Sequence, residues 1–360
     1  MSLRDEFPVL ERIAYMNAGT DGPVPRRAAE AAEASLRAQL EDGRAGQPYF
    51  ERLMGLRAGL REHAARLMGC APGDVALTHS TTDGMNLVLR GFGLGRGDEV
   101  VTTDEEHPGL LAPLAALAAR DGVKLTFAPF AEVANAVSAT TRLIACSHVS
   151  WINGQVVDAD ALRATGVPTL LDGAQGLGAV PAHPAELGCA FYAAAGQKWL
   201  CGPDGSGFLY VAPDQVDALG APWPGYQSLS DPLRAEELLL AGGAVRFDMG
   251  FPVPHDTAWA LAAFEVLSKP GWQNVHDQAT SLAASLAIQL EERGRELAPR
   301  GRSTLVAWKE DDPEDFVQRA SEAGVAIRHL AGRGLVRASI GAWNDGEDVQ
   351  RLLALTPGGQ

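Results

Sequence analysis

Thr169-Leu170-Leu171-Asp172-Gly173-Ala174-Gln175 is an apolar run that stops on a carboxylate, and Ala193-Ala194-Ala195-Gly196-Gln197-Lys198-Trp199-Leu200 follows it with a lysine near its end. A Gly-rich turn and a third apolar run, Gly207-Phe208-Leu209-Tyr210-Val211, close the stretch. Short apolar segments bounded by glycines and turn residues read as buried strands. Working outward, Val75 to Thr78, Glu99 to Thr102, Lys124 to Phe127, Leu143 to Ser147, Thr169 to Asp172, Cys189 to Ala193 and Phe208 to Val211 make seven such strands. Helical patterns, among them Gly84 to Gly91 and Gly109 to Arg120, lie between them. This alternation predicts an α/β fold with a mostly parallel seven-stranded sheet covered on both faces.

Before this core, Leu53, Leu56, Leu60 and Leu67 fall on one face of a helix over about Phe50 to Met68. After it, Pro222 to Pro232 is rich in Pro, Gly and Ser and reads as irregular. A long helix over about Ala279 to Leu297 has Leu282, Leu286 and Leu290 at four-residue spacing. Ser303 to Trp308, Asp315 to Ala323 and Leu335 to Ile340 then read as strand, helix and strand. The expected division is a large domain over residues 16–244 and a small α+β domain made of residues 1–15 and 245–360.

The chain has 360 residues, 46% apolar and 21% charged, which describes an ordinary globular protein with ample core. A net charge of −15 disfavours nucleic acid and anionic membrane as general partners. The four cysteines, Cys70, Cys146, Cys189 and Cys201, are far apart and form no C-x-x-C pair. That argues against a disulfide framework and against a structural metal site. No apolar stretch is long enough to span a bilayer, and the first residues show no hydrophobic signal region, so the expected location is cytoplasmic.

Chemistry enters with Lys198, one of only four lysines among thirty basic residues. An amine in semi-apolar surroundings, with an acid delivered from the end of a strand, is what a Schiff-base cofactor needs. Lys124, Lys269 and Lys309 stand in ordinary settings. In an open parallel sheet ligands sit beyond the carboxyl ends of the strands, and other polar residues fall there too. Ser80, Thr81 and Thr82 follow the first strand and lead into a helix, as a phosphate cradle or simply as an N-cap. His107, in Thr103-Asp104-Glu105-Glu106-His107-Pro108, follows the next strand, either stacked on an aromatic ring or satisfied within its loop.

Together these residues resemble the class V aminotransferase family of pyridoxal-phosphate enzymes. This fold type I group includes cysteine desulfurases, isopenicillin N epimerase and cystine C–S lyases. The likeness runs from about Tyr15 to Leu353, through a strand ending in Asp-x-x-Gln and, about two dozen residues later, x-G-x-K before a Gly-rich strand. Asp-Glu-Glu-His-Pro-Gly at 104–109, Ser-His-Val-Ser-Trp at 147–151 and Trp-x-x-Gly-Gln ending at Gln155 look closest to the lyase and epimerase branches. The resemblance implies pyridoxal 5'-phosphate as cofactor, an amino-acid substrate and a homodimer with its sites at the subunit interface. It gives Lys198 the covalent attachment and the transfer of the α-proton, and Asp172 the pyridine nitrogen. Gln175 would meet the phenolic oxygen, His107 the ring face, and Thr81, Thr82 and Gln197 the phosphate region. Arg337, in Leu335-Val336-Arg337-Ala338-Ser339, matches the arginine that clamps the substrate carboxylate with two parallel hydrogen bonds.

Three departures matter. Ala195 and Gln197 replace a serine and a histidine common in the family, and Phe251 stands at or near a threonine that reaches the partner subunit's phosphate. Between Arg328 and Arg337 the chain has no cysteine, where desulfurases present a nucleophilic one. Sulfur transfer through a protein thiol is thereby disfavoured, and α,β-elimination at a carbon–sulfur bond is the expected reaction. Epimerisation and transamination share its first steps. The altered phosphate shell also admits a non-catalytic, ligand-binding relative.

Overall fold

The computed structural model describes residues 2–251 and 253–356. Strand β1 (Ala14–Tyr15) precedes two helices, α1 (Arg26–Asp42) and α2 (Gly46–Met68). Then come β2 (Val75–Thr78), α3 (Thr81–Gly91), β3 (Glu99–Thr103), α4 (Pro108–Asp121), β4 (Lys124–Ala128) and β5 (Thr141–Ser147). They are followed by α5 (Ala159–Ala164), β6 (Thr169–Asp172), α6 (Pro184–Leu187), β7 (Phe191–Ala195) and β8 (Gly207–Val211). Helices α7 (Pro254–Ser268) and α8 (Trp272–Glu292) lead into β9 (Leu305–Lys309), α9 (Pro313–Glu322) and β10 (Val325–Ala326). The last elements are β11 (Arg328–Leu330), β12 (Leu335–Ser339) and α10 (Gly346–Leu353).

The seven-stranded sheet has the order β2-β8-β7-β6-β5-β3-β4, and β8 alone runs against its neighbours. Alternate strand residues sort into two cores because successive side chains point to opposite faces. Ile144, Cys146, Leu171, Tyr192 and Phe208 face α2 and α7, while Leu143, Ala145, Leu170, Phe191 and Leu209 face α3 and α4. Strands covered on both sides need apolar residues at every position, which is why they read as continuous runs. Helix α7 lies against α1 and α2. A separate three-stranded sheet, β11-β12-β9, packs with α8, α9 and α10, and β1 pairs with β10 beside it.

Two expected elements are displaced. The strand expected from Cys189 begins at Phe191, because Gly188 caps α6 in the left-handed conformation and the Cys189 N–H donates to the Pro184 carbonyl. Gly188 and Cys189 are therefore committed to ending a helix, and sheet bonding resumes at Ala190, whose N–H donates to the Thr169 carbonyl. The helix expected over about 279–297 runs Trp272–Glu292, and Gly294 turns the chain so that Leu297 can bridge to Trp308.

Candidate active site

Strands β2, β3, β6 and β7 run in the same direction, so residues following them collect at one edge of the sheet. Asp172 is the last residue of β6 and sits beside Ala193 of β7. Lys198 lies three residues past the end of β7, Thr81 opens α3 after β2, and His107 caps α4 after β3. These residues line one cavity of about 320 Å³ together with Thr82, Gln175, Ala195 and Gln197. That is enough for a small ligand.

Electrostatics separate the groups by role. Burial is the largest influence on Lys198 and pushes its amine down, with Arg337 adding to the effect and Asp172 opposing it. A depressed pKa raises the neutral, nucleophilic fraction. Burial pushes the Asp172 carboxyl up, and its single hydrogen bond among the described residues comes from the Ala174 N–H at 2.9 Å. A carboxylate so poorly partnered at a cavity wall suits a cationic ligand atom. His107 reaches the open cavity, yet desolvation, followed by the charges of Lys198, Arg328 and Arg337, pushes it down to about 4. It is neutral at pH 7. Its Nδ1 accepts from the Gly109 N–H at 3.0 Å, which places the proton on Nε2, and its ring meets Trp151 edge-on at 5.1 Å.

Gln175 is held at both ends of its amide. Its Nε2 donates to the Gly19 carbonyl at 2.8 Å, and its Oε1 accepts from Trp199 Nε1 at 3.0 Å. One N–H of the amide is left over. Arg337 is fully buried on β12. Because Val336 and Ala338 pack into the small core, Arg337 points the other way. Its Nη1 donates to the Trp151 carbonyl, while Nε and Nη2 have no partner among the described residues, and the side chain lies against the wall residue Gly19 without itself lining the cavity.

Ser80 uses its Oγ to accept the Asp83 N–H, so it is the cap of α3, and the buried Thr81 Oγ1 has no partner among the described residues. Gln197 Oε1 is likewise buried and unpartnered. Ala195 is in the cavity wall, as its place in the sequence predicts. Phe251 is not. It lines a different cavity with His79 and Ser206 and lies against Tyr226 at 5.7 Å.

Several further residues, given no role by the sequence reading, complete the wall. Gly19, Thr20 and Asp21, directly after β1, close the cavity, as do Trp151 and Arg328. Gly19 is required as glycine, since a Cβ there would stand 2.8 Å from Arg337 Nη2 and 2.7 Å from Ser339 Oγ. The run Asn17-Ala18-Gly19-Thr20-Asp21-Gly22, polar and glycine-rich straight after a short strand, is the signal that could have found it.

Solved structures share this architecture along the whole chain. The cystine C–S lyase C-DES, in complex with its reaction product cysteine persulfide, superposes with a TM-score of 0.92 at 28% identity, covering 98% of this chain and 100% of that one. A C-DES lysine-to-alanine mutant, with glycine covalently linked to its PLP cofactor, gives 0.93 at 28% identity over 99% of both chains. Among curated proteins, a cysteine desulfurase of Cronobacter sakazakii is 27% identical over 98% of this chain and 96% of its own length. The isopenicillin N epimerase of Streptomyces clavuligerus is 34% identical over 58% of this chain and 55% of its own length. Fold and cavity thus define an α/β enzyme of fold type I. The chain belongs to the aminotransferase class-V family, whose profile matches residues 23–352.

Proposed function

We propose that the protein is a pyridoxal-phosphate-dependent C–S lyase that breaks the β-carbon–sulfur bond of a cysteine- or cystine-type amino acid. The observation that carries this reading is the convergence of a buried, pKa-depressed Lys198 and an under-partnered Asp172 in a cavity whose walls contain no cysteine among the described residues. The cavity fits the cofactor on its own terms. Asp172 offers a carboxylate to a ring nitrogen, and Thr81 and Thr82 stand at the start of α3, where free N–H groups favour an anion. The unpartnered Thr81 Oγ1 and Gln197 Oε1 are polar atoms that a bound group would satisfy. His107 and Gln175 flank the same space. Pyridoxal phosphate, when bound, supplies an electron sink for the charge left at the substrate α-carbon.

The side chains perform the rest. Arg337 turns two unpartnered N–H-bearing nitrogens toward a substrate α-carboxylate. The Lys198 amine, pushed toward its neutral form by burial, takes the α-proton. The carbon–sulfur bond then breaks with its electron pair going to sulfur, and hydrolysis of the remaining fragment gives pyruvate and ammonia. Cys146, Cys189 and Cys201 are buried, and Cys70 lies outside the cavity walls. With no thiolate to receive sulfur, the sulfur leaves with the product.

We further propose that the working unit is a homodimer. Large apolar side chains are exposed over 223–253, with Leu233 at 93% and Trp223 at 67% accessibility, beside Tyr226, Leu238 and Phe251. Exposed clusters of this kind mark an interface.

The test is incubation of the purified protein with pyridoxal phosphate and a panel of sulfur amino acids, with pyruvate, sulfide, racemised amino acid and keto acid assayed together. Pyruvate formed in step with sulfide or persulfide supports elimination. Racemisation or a keto acid retaining sulfur would assign the protein to the epimerase or transaminase reading instead. A bound cofactor whose absorption responds to no amino acid would make it a binding protein.

A further inference from the structure

Glu105 and Glu106 stand between β3 and His107, and the proposed chemistry gives neither a task. Both carboxylates reach the loop that follows β5. Glu106 is buried and accepts from the Ser147 N–H at 2.9 Å, from Ser147 Oγ at 2.6 Å and from Thr103 Oγ1 at 2.6 Å. Glu105 is half-buried and accepts from Ser150 Oγ at 2.5 Å. Its two oxygens also share the Asn153 Nδ2 group, at 3.0 and 2.9 Å. Ser150 and Asn153 are buried, and Trp151 lies between them. Trp151 lines the cavity, and its ring meets His107 of the same wall edge-on. Its indole N–H has no acceptor among the described residues, so no hydrogen bond of its own orients the ring.

A carboxylate that accepts from two buried side chains three residues apart fixes the backbone between them, and charge-assisted bonds do so firmly. Beyond Trp151 the loop is tied to the other sheet, where the Gly154 carbonyl accepts from Ser303 Oγ at 2.7 Å and from the Gly301 N–H at 3.1 Å, just ahead of β9. The segment that presents His107 is therefore also the template for Trp151, and one short acidic stretch sets the spacing of two rings in the cavity wall. Glu105 itself does not line the cavity. We infer that Glu105 is a positioning residue, whose carboxylate holds Ser150 and Asn153 so that Trp151 stands where an amino-acid ligand needs it. This rests on the reading of the cavity as an amino-acid site. An acid is required because only a carboxylate presents acceptors at both places, whereas a glutamine would turn an N–H group against the Asn153 amide.

The test uses the pyridoxal-phosphate-loaded wild type, Glu105→Gln, Asn153→Asp and the double variant. Hydrogen exchange by mass spectrometry follows residues 147–155 directly. Titration calorimetry uses 2-methylalanine, an α-amino acid with no α-proton to lose. Glu105→Gln sets an amide against the Asn153 amide, and Asn153→Asp sets two carboxylates together. Each single variant should speed exchange in 147–155 and weaken 2-methylalanine about tenfold, while borohydride labelling of Lys198 stays complete. In the double variant the amide introduced at 105 donates to the carboxylate introduced at 153. The Gln155 amide, which accepts from Asn153 at 3.2 Å, can turn to donate as well. Both losses should then be largely recovered. Faster exchange with unaltered 2-methylalanine binding would show that the clamp serves stability alone, and unaltered exchange would show that there is no clamp. Either result overturns the inference. So would a fall in Lys198 labelling in step with the ligand, the mark of a general disturbance of the site. A loaded wild type that binds no amino acid overturns the amino-acid reading and this inference with it, whereas wild-type binding that the variants retain overturns the inference alone.

Discussion

Arg337 carries a cation into a fully buried position against Gly19 of the cavity wall, and only one of its nitrogens finds an acceptor among the described residues. Burial, followed by the charge of Arg328, pushes its pKa down to about 9. A guanidinium nevertheless stays charged, and the α-carboxylate of the proposed substrate is an anion suited to it. Replacing it with alanine removes a bidentate, charge-assisted contact. Arg337→Ala is expected to raise KM for an α-amino acid about a hundredfold, with a smaller change in kcat. Unaltered steady-state kinetics would remove Arg337 from the substrate site. The same residue shows how much a sequence can disclose. An arginine inside an apolar strand is conspicuous because the strand period then sends it to the face opposite its neighbours. Arg328, opposite it in the sheet, is less so, because its place in the cavity wall comes from a cross-strand register that no local pattern records.

At the level of elements, Glu99 ties together three strands at the edge of the sheet away from the cavity. Its carboxylate accepts from Lys124 of β4 at 2.5 Å and from Thr126 at 2.7 Å. It also accepts from Ser138 at 2.5 Å and from Thr141 of β5 at 2.6 Å. These bonds, the Lys124 ion pair foremost, hold Glu99 down to about 2 from an ordinary value of 4.5. A folded-state pKa below the unfolded one stabilises the fold in full above the unfolded value, and the gain is lost as pH falls through the folded value. Glu99→Gln is therefore expected to cost about 2–3 kcal/mol in urea unfolding near neutral pH, and the gap to wild type should shrink as pH drops from about 4.5 toward 2. A gap independent of pH would show that the carboxylate charge is not what joins the strands. Lys124, ordinary in its sequence setting, gains its role only from this buried partner. The strands themselves were legible because sheets covered on both faces demand continuous apolar runs. Helices α1 and α7 were not, since α1 buries little more than Ala28 and carries mostly exposed polar residues, while α7 is apolar around its circumference and shows no stripe. The walls contributed by Gly19-Thr20-Asp21 and by Arg328 depend on contacts across most of the chain, beyond any local periodicity.

On the scale of the whole molecule, the proposed division at residues 244 and 245 puts the two larger sheets in different parts, while α7, beyond that division, packs against α1 and α2 and on the core of the seven-stranded sheet. The cavity takes Lys198, Asp172 and His107 from beyond the ends of the large-sheet strands, and Arg328 from the other sheet. Exposed Trp223 and Leu233 lie in the stretch between the two sheets. If this stretch is the dimer interface, sedimentation of wild type should give a two-chain species, and the double variant Trp223→Asp, Leu233→Asp should move it toward single chains. A variant that sediments as wild type does would place the interface elsewhere. The central claim, however, concerns one amine. Borohydride reduction of the pyridoxal-phosphate-loaded protein, followed by peptide mass spectrometry, should leave a single pyridoxyl-phosphate mass on the peptide carrying Lys198, with Lys124, Lys269 and Lys309 unlabelled. A label on any of those three, or none on Lys198, would contradict the account.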